Sequence, residues 1–369
     1  MTEVKKETMR ILGFLRDSSQ AEMSASEYYR TYLPLRELHK HDNGITAQCV
    51  TKEDLQQDRV TDEQLGGRDI YCMSRSYSLD DSQGYMDAVH AAGGVFVFDV
   101  DDDLTEIHRL VSGRGHEFCE WLGIVDYVTC TTHELANHLS QFTQRPPKVL
   151  HNYVDVEWMQ SIAAKQDRVI EGEVVMGFSG SRTHYIDWYN AVLPFNRLLK
   201  ENKRITAYLQ GDLPDYMEHI EVNDYDEEPP VSAWPYLNIR VFRGSKLPYA
   251  MYPQVLSQFD VLLCAVNSSD GFNCGKSWVK ALECMALGVV PICSRFTPYL
   301  QLETAGAPVV MVGEDSWDGW YEAMRDLVDD DERRQMLSID GPAWCYEHAD
   351  MVRGAYLEWE SYYRSICES

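Results

Sequence analysis

Short apolar, β-rich runs alternate with stretches of helical period along almost the whole chain, and this alternation restricts the fold more than any other feature. The first series comprises "RILGFL" (10–15), "ITAQCV" (45–50), "DIYCM" (69–73), "VFVFD" (95–99), "YVTC" (127–130) and "KVLH" (148–151). Helical stretches such as "SASEYYRTYLPLRELHKHD" and "SQGYMDAVHAAG" lie between most of them. A polar interval, "QSIAAKQDRVIEGE", precedes a second series: "VVMGFSG" (174–180), "ITAYLQG" (205–211), "IRVFRG" (239–244), "VLLCAV" (261–266) and "VVPICS" (289–294). The remainder, "DSWDGWYEAMRDLVDDDERRQML" and "EHADMVRGAYLEWESYYRSI", is helical by period and charge pattern. Near-continuous apolar strands alternating with helices imply parallel sheets covered on both faces. The expectation is two successive doubly wound α/β domains with a helical tail. Such sheets bind ligands at the carboxyl ends of their strands, so the cleft between the domains is the natural site.

A chain of 369 residues, 44% hydrophobic, can fill two such cores. No run reaches the roughly 18 apolar residues of a membrane helix. The start, "MTEVKKETMRILGFLRDSS", carries no apolar h-region with a cleavage site, so a cytoplasmic location is expected. The ten cysteines are scattered without a C-x-x-C pair, which fits buried free thiols better than disulfides or zinc. A net charge of −26 argues against a surface built for the nucleic-acid backbone, although it leaves room for one basic patch. The acidic segment "HIEVNDYDEEPP" reads as a solvated loop.

Two turns carry chemistry. "VFVFDVDDDLTEI" places Asp99, Asp101, Asp102 and Asp103 where a buried strand ends. Asp99-Val100-Asp101 fits the D-x-D of a haloacid-dehalogenase-like phosphohydrolase, but Asp102-Asp103 replace the Gly-Thr of that motif. Clustered carboxylates also suit Mg²⁺ or Mn²⁺, or a cleft base that orients a hydroxyl acceptor. Alternatively the acids cap the next helix, the reading preferred for Asp103. The other turn lies in "NSSDGFNCGKSWVKALECMALGVVPIC". A P-loop needs four residues between its first glycine and the Gly-Lys pair; here there are three, Phe272, Asn273 and Cys274. Strand, loop and helix still bring Lys276, Ser277 and a helix N-terminus toward an anion. "VVMGFSGSRTHYIDW" is a second strand-turn-helix, in which Gly177, Gly180 and Ser181 let backbone N–H groups approach and Arg182 and His184 add charged donors.

The segment "FNCGKSWVKALECMALGVVPICS" resembles the nucleotide-sugar signature of GT-B glycosyltransferases, in particular the retaining family with an E-x7-E motif. Glu283 matches the second glutamate, which in that family binds the donor ribose, and Gly275 stands in place of the first. The form "FN-x-x-KS-x-x-K-x-LE" is similar to a divergent branch that includes bacteriophage sequences, some of them DNA-modifying. "HNYVDVEWM" resembles the interdomain linker of the family, and "IRVFRG" the strand whose end, Phe242 and Arg243, meets the base. The resemblance implies an acceptor domain (1–152), a nucleotide-sugar domain (153–345) and a last helix (346–369) packing back on the first.

What the resemblance implies is glycosyl transfer from a UDP- or GDP-sugar, retaining rather than inverting, without an obligatory metal. Gly180, Ser181, Arg182, Arg243, Asn273, Gly275, Lys276, Ser277 and Glu283 would form the donor site, with Lys276 stabilising the leaving diphosphate. Asp101 or Asp102 would orient the acceptor hydroxyl, and Arg75, Asp99, Arg109, Arg114 and His116 would hold the acceptor. Phage-like relatives imply DNA carrying hydroxymethylated pyrimidines, in a host cytoplasm, with the base flipped out; a glycan or small molecule is the alternative. Two rival readings are the phosphohydrolase using Asp99 and Asp101, and a non-catalytic nucleotide-sugar-binding module.

Overall fold

The computed structural model describes residues 8–16, 23–41, 43–56, 66–74, 79–106, 115–163, 173–180, 187–202, 204–211, 240–242, 248–268, 271–313 and 316–368. Two parallel sheets of six strands each form its frame. The first contains β1 (Met9–Leu15), β2 (Ile45–Thr51), β3 (Ile70–Ser74), β4 (Val95–Val100), β5 (Tyr127–Cys130) and β6 (Lys148–Val149), in the order β2-β1-β3-β4-β5-β6. Strands β3 and β4 are almost wholly buried, as their unbroken apolar runs require when helices cover both faces. The covering helices include α1 (Ala25–Glu27), α2 (Leu33–Lys40), α3 (Lys52–Gln56), α4 (Leu79–Ala91), α5 (Gly115–Leu122) and α6 (His133–Leu139).

Helix α1 begins with a reciprocal capping box between Ser24 and Glu27 and runs through a π turn, Tyr28–Tyr32, into α2. Pro34 lacks the N–H that an α-helix would donate to the Arg30 carbonyl, and the wider turn accommodates that loss. The turn directs Tyr28, Tyr29 and Arg30 inward.

The second sheet contains β7 (Val174–Gly180), β8 (Ile205–Gly211), β9 (Arg240–Phe242), β10 (Val261–Cys264), β11 (Val290–Ser294) and β12 (Val310–Val312). Its order is β12-β11-β10-β7-β8-β9. The edge strand β12 was not expected from sequence, although four apolar residues, 309–312, lie between Pro308 and Gly313. Its helices are α7 (Val156–Ala163), α8 (Tyr189–Glu201), α9 (Tyr252–Leu256), α10 (Val279–Ala286), α11 (Leu300–Thr304), α12 (Trp317–Asp329) and α13 (Asp331–His348). Gly177 of β7 lies opposite Tyr208 of β8, and a Cβ at 177 would stand 1.9 Å from the Tyr208 carbonyl oxygen. Gly177→Ala is therefore expected to cost about 3 kcal/mol, read from the urea midpoint, because backbone rather than a yielding side chain must move.

The chain crosses between the domains twice, side by side. The Val154 N–H donates to the Ala349 carbonyl (3.0 Å), and the Met351 N–H to the Val154 carbonyl (2.8 Å). The last helix, α14 (Tyr356–Cys367), lies on the first domain, where Trp359 and Tyr363 are buried and Asn43 donates to Glu360 (2.8 Å). All ten cysteines are free, six of them buried. Among the described residues, no helix is long and apolar enough to cross a membrane.

Candidate functional site

Strand β7 has its sequence successor β8 on one side and β10 on the other, so the strand order reverses between β7 and β10. A crevice at the carboxyl ends of two such strands is where doubly wound sheets take ligands. The loop after β10 enters it as a tight turn, Gly271–Gly275, followed by Lys276, Ser277 and helix α10. From the β7 side comes Asp187, buried, which organises that loop. Its Oδ1 accepts from the Asn267 N–H (3.1 Å) and from Asn273 Nδ2 (2.5 Å), and its Oδ2 pairs with Lys276 Nζ at 2.7 Å. Lys276 also lies 5.2 Å from the centre of the Phe272 ring. Asp187 was not singled out in the sequence, although it stands near the end of the quoted stretch "VVMGFSGSRTHYIDW".

Ser277 leads in another direction. Its Oγ accepts from Asn152 Nδ2 (2.8 Å), and Asn152 Oδ1 accepts from Arg30 Nη1 (2.9 Å). Arg30 is fully enclosed and meets Asp99 with two parallel bonds, Nε to Oδ1 and Nη2 to Oδ2, both 2.8 Å. Its Nη1 also donates to the Leu150 carbonyl (2.6 Å), and its guanidinium sits 4.8 Å from the Trp359 ring centre. A continuous polar chain thus runs from the core of the first domain to the start of α10.

Glu283 faces the first domain. Tyr29 donates to its Oε1 (2.8 Å), and the Tyr29 and Tyr249 hydroxyls are bonded to each other. Burial pushes the Glu283 carboxyl up to about 7, with the Tyr29 hydrogen bond and the Lys280 charge pulling the other way. Lys280, one helical turn earlier, donates to the Ser179 carbonyl (2.9 Å), and burial holds its ammonium below the usual lysine range. Tyr28, Trp158 and Tyr249 stack around this point, with ring centres 4.5 to 5.5 Å apart.

Gly275 is one of the points where the two domains touch. Its carbonyl accepts from Thr132 Oγ1 (3.3 Å), and a Cβ there would lie 3.1 Å from Leu135 Cδ1 and 3.6 Å from Asp103 Cβ. A side chain at this position would press on Leu135 and Asp103, so close packing favours glycine.

On the acceptor side, Asp99 requires a correction. It was expected to contact the acceptor, or to act as a phosphohydrolase nucleophile. Both of its oxygens are instead taken by Arg30 and Thr129 in a buried setting, which leaves it neither access nor nucleophilic freedom. Asp101 and Asp102 lie half-buried just beyond β4, and the Asp101 carbonyl accepts from Thr131 Oγ1 (3.2 Å). Asp103 accepts from the Thr105 N–H (3.1 Å) and the Glu106 N–H (3.4 Å), capping the next turn, and meets His138 Nε2 at 3.3 Å. His116 is exposed on α5, and Gly180 ends β7. Arg75, Arg109, Arg114, Ser181, Arg182, His184 and Arg243 lie outside the described residues. Among those described, no group of three or more His, Cys, Asp or Glu side chains is arranged to hold a metal ion.

No protein-family model matches the chain, and no curated protein matches it in sequence. Solved structures do share its fold. The Anabaena protein HepE, solved with UDP and glucose, is 13% identical with a TM-score of 0.64, covering 97% of this chain and 100% of its own. Sucrose-phosphate synthase from Thermosynechococcus elongatus is 10% identical with a TM-score of 0.61, covering 98% and 99%. An α-glucosyltransferase solved with UDP-glucose and DNA containing an abasic site is 11% identical with a TM-score of 0.62, covering 97% and 99%. At these identities the likeness shows the architecture: a GT-B fold of two parallel-sheet α/β domains.

Proposed function

We propose that the chain transfers a sugar from a nucleotide-sugar donor to a hydroxyl acceptor across the cleft between its domains. The observation that carries this reading is the convergence of Lys276, Asn273 and Asp187 on the β7/β10 crevice, with Glu283 farther along the same loop-helix unit. UDP or UDP-glucose accompanies several of the structures that share the fold, which favours a UDP-sugar donor. In this reading Lys276 and Ser277 receive the diphosphate, which leaves as the bond from the anomeric carbon to phosphate oxygen breaks, and Glu283 holds ribose. Lys276, whose ammonium also pairs with Asp187, lends its charge to the diphosphate in this reading, which calls for no obligatory metal. The acceptor oxygen then bonds to the anomeric carbon. If configuration is retained, the acceptor proton passes to the departing phosphate oxygen; if it is inverted, Asp101 or Asp102 takes it.

For the acceptor, a hydroxyl on modified DNA finds support in the DNA-bound structure that shares the fold. The net charge of −26 limits any such contact to a local patch, for which His116, Arg75, Arg109 and Arg114 are the candidates. The test is calorimetric titration with UDP, GDP and their glucose conjugates, with and without EDTA. Lys276→Gln keeps a donor for Asp187 but removes the charge. It is expected to weaken nucleoside-diphosphate binding about 10- to 100-fold. A wild-type protein that binds no nucleotide would refute the reading.

A further inference from the structure

Asn273 is wholly buried on the turn that opens the β7/β10 crevice. Both hydrogens of its amide are committed, one to Asp187 Oδ1 at 2.5 Å and the other to the Asn267 carbonyl at 2.8 Å. Turning the amide over would set its oxygen against a carboxylate and a carbonyl, so the assignment of nitrogen and oxygen is unambiguous. The oxygen, Oδ1, then points away from both partners and receives no hydrogen bond among the described residues. A buried carbonyl oxygen left in this state is costly and uncommon. The rest of the turn consists of two glycines, a phenylalanine and a cysteine, so Asn273 is its one strongly polar side chain.

The chemistry of Oδ1 restricts its partner. It only accepts, and diphosphate oxygens at neutral pH also only accept, so the group it meets belongs to some other part of the ligand. We propose that Asn273 Oδ1 accepts a hydrogen bond from a ring hydroxyl of the transferred sugar, and that Asp187 is the positioning residue that fixes its orientation. This rests on the donor-site reading above and adds to it the residue that reads the sugar. Lys276, three positions on and held by the same carboxylate, takes the anionic part of the donor while Asn273 takes a neutral one. Asp187 thereby sets charge recognition and hydroxyl recognition in a single register.

The experiment is calorimetric titration of free UDP, UDP-glucose and each monodeoxy analogue of UDP-glucose, or the guanine series if nucleotide titration selects it. Wild type, Asn273→Ala and Asp187→Asn are compared. On wild type, one monodeoxy donor is expected to bind about tenfold more weakly than UDP-glucose. On Asn273→Ala, which also withdraws a donor from Asp187, UDP-glucose loses about tenfold more affinity than free UDP does, and the same deoxy donor loses no more than free UDP. Asp187→Asn loses the same discrimination between hydroxyls, since a neutral amide no longer dictates which way Asn273 faces. Equal binding of every deoxy donor to wild type would overturn the inference while leaving the donor site standing. So would an equal loss of UDP and UDP-glucose on Asn273→Ala, which would place the contact on the nucleoside. Absence of any nucleotide binding to wild type removes the donor-site reading itself. The wild-type series can overturn the inference even if a variant fails to fold.

Discussion

Glu283→Gln is expected to weaken nucleotide binding about 100-fold and yet to make the protein more stable above neutral pH. The carboxyl is buried, and its affinity for a proton is raised from 4.5 to about 7. A raised folded-state value favours the protonated form, so the stability it contributes is complete below about pH 4.5 and is lost as pH rises through about 7. Above that, the native protein carries a buried ionised carboxylate at a cost of about 3 kcal/mol. Glutamine keeps an oxygen for the Tyr29 hydroxyl, which lies 2.8 Å from Oε1, and removes the cost. Melting curves of the two proteins should coincide near pH 4.5 and separate by several degrees near pH 8, the variant melting higher. Binding runs the other way. An ionised carboxylate is the stronger acceptor for ribose hydroxyls, so wild-type affinity should rise as pH increases through about 7, while that of the variant stays flat. Parallel melting curves across the whole range would show that Glu283 titrates as an ordinary carboxyl.

Arg30→Leu should be the most destabilising substitution outside the sheet cores, costing about 3–5 kcal/mol by chemical denaturation. Leucine fills the space beside Trp359 but strands the Asp99 carboxylate and withdraws the donor from Asn152 and from the Leu150 carbonyl. The loss arises from the abandoned partners, so adding Asp99→Asn to Arg30→Leu should recover part of it. If the single variant unfolds at the wild-type denaturant midpoint, the Arg30–Asp99 pair contributes no net stability. Nucleotide titration of the folded variant adds a second reading. Asn152, no longer held from behind by Arg30, presents its amide to Ser277 less rigidly, and affinity should fall with the start of α10.

The alternation of apolar strands with helices was enough to reveal two parallel-sheet domains, because a strand buried on both faces leaves few positions for polar residues. Strand β12 was missed although its apolar run, 309–312, is as long as the runs that gave β5 and β6. Asp103 was legible as a cap, since capping depends on residues two and three positions away. Asp99 was misread for the opposite reason. Its partner Arg30 lies 69 positions earlier, and nothing local distinguishes a carboxylate that closes a buried ion pair from one that faces a cleft.

The same division runs through the site. Sequence alone determined that a strand, a glycine-bearing turn with Asn273, Lys276 and Ser277, and a helix bearing Glu283 follow one another, because those relations are set by local chain geometry. Only the tertiary structure decided what these groups meet. Asp187 reaches Lys276 across 89 positions, Asn152 reaches Ser277 across 125, and Tyr29 reaches Glu283 across 254. Each of these pairings exists because the order of strands in the sheets, and the packing of one domain on the other, bring distant segments together.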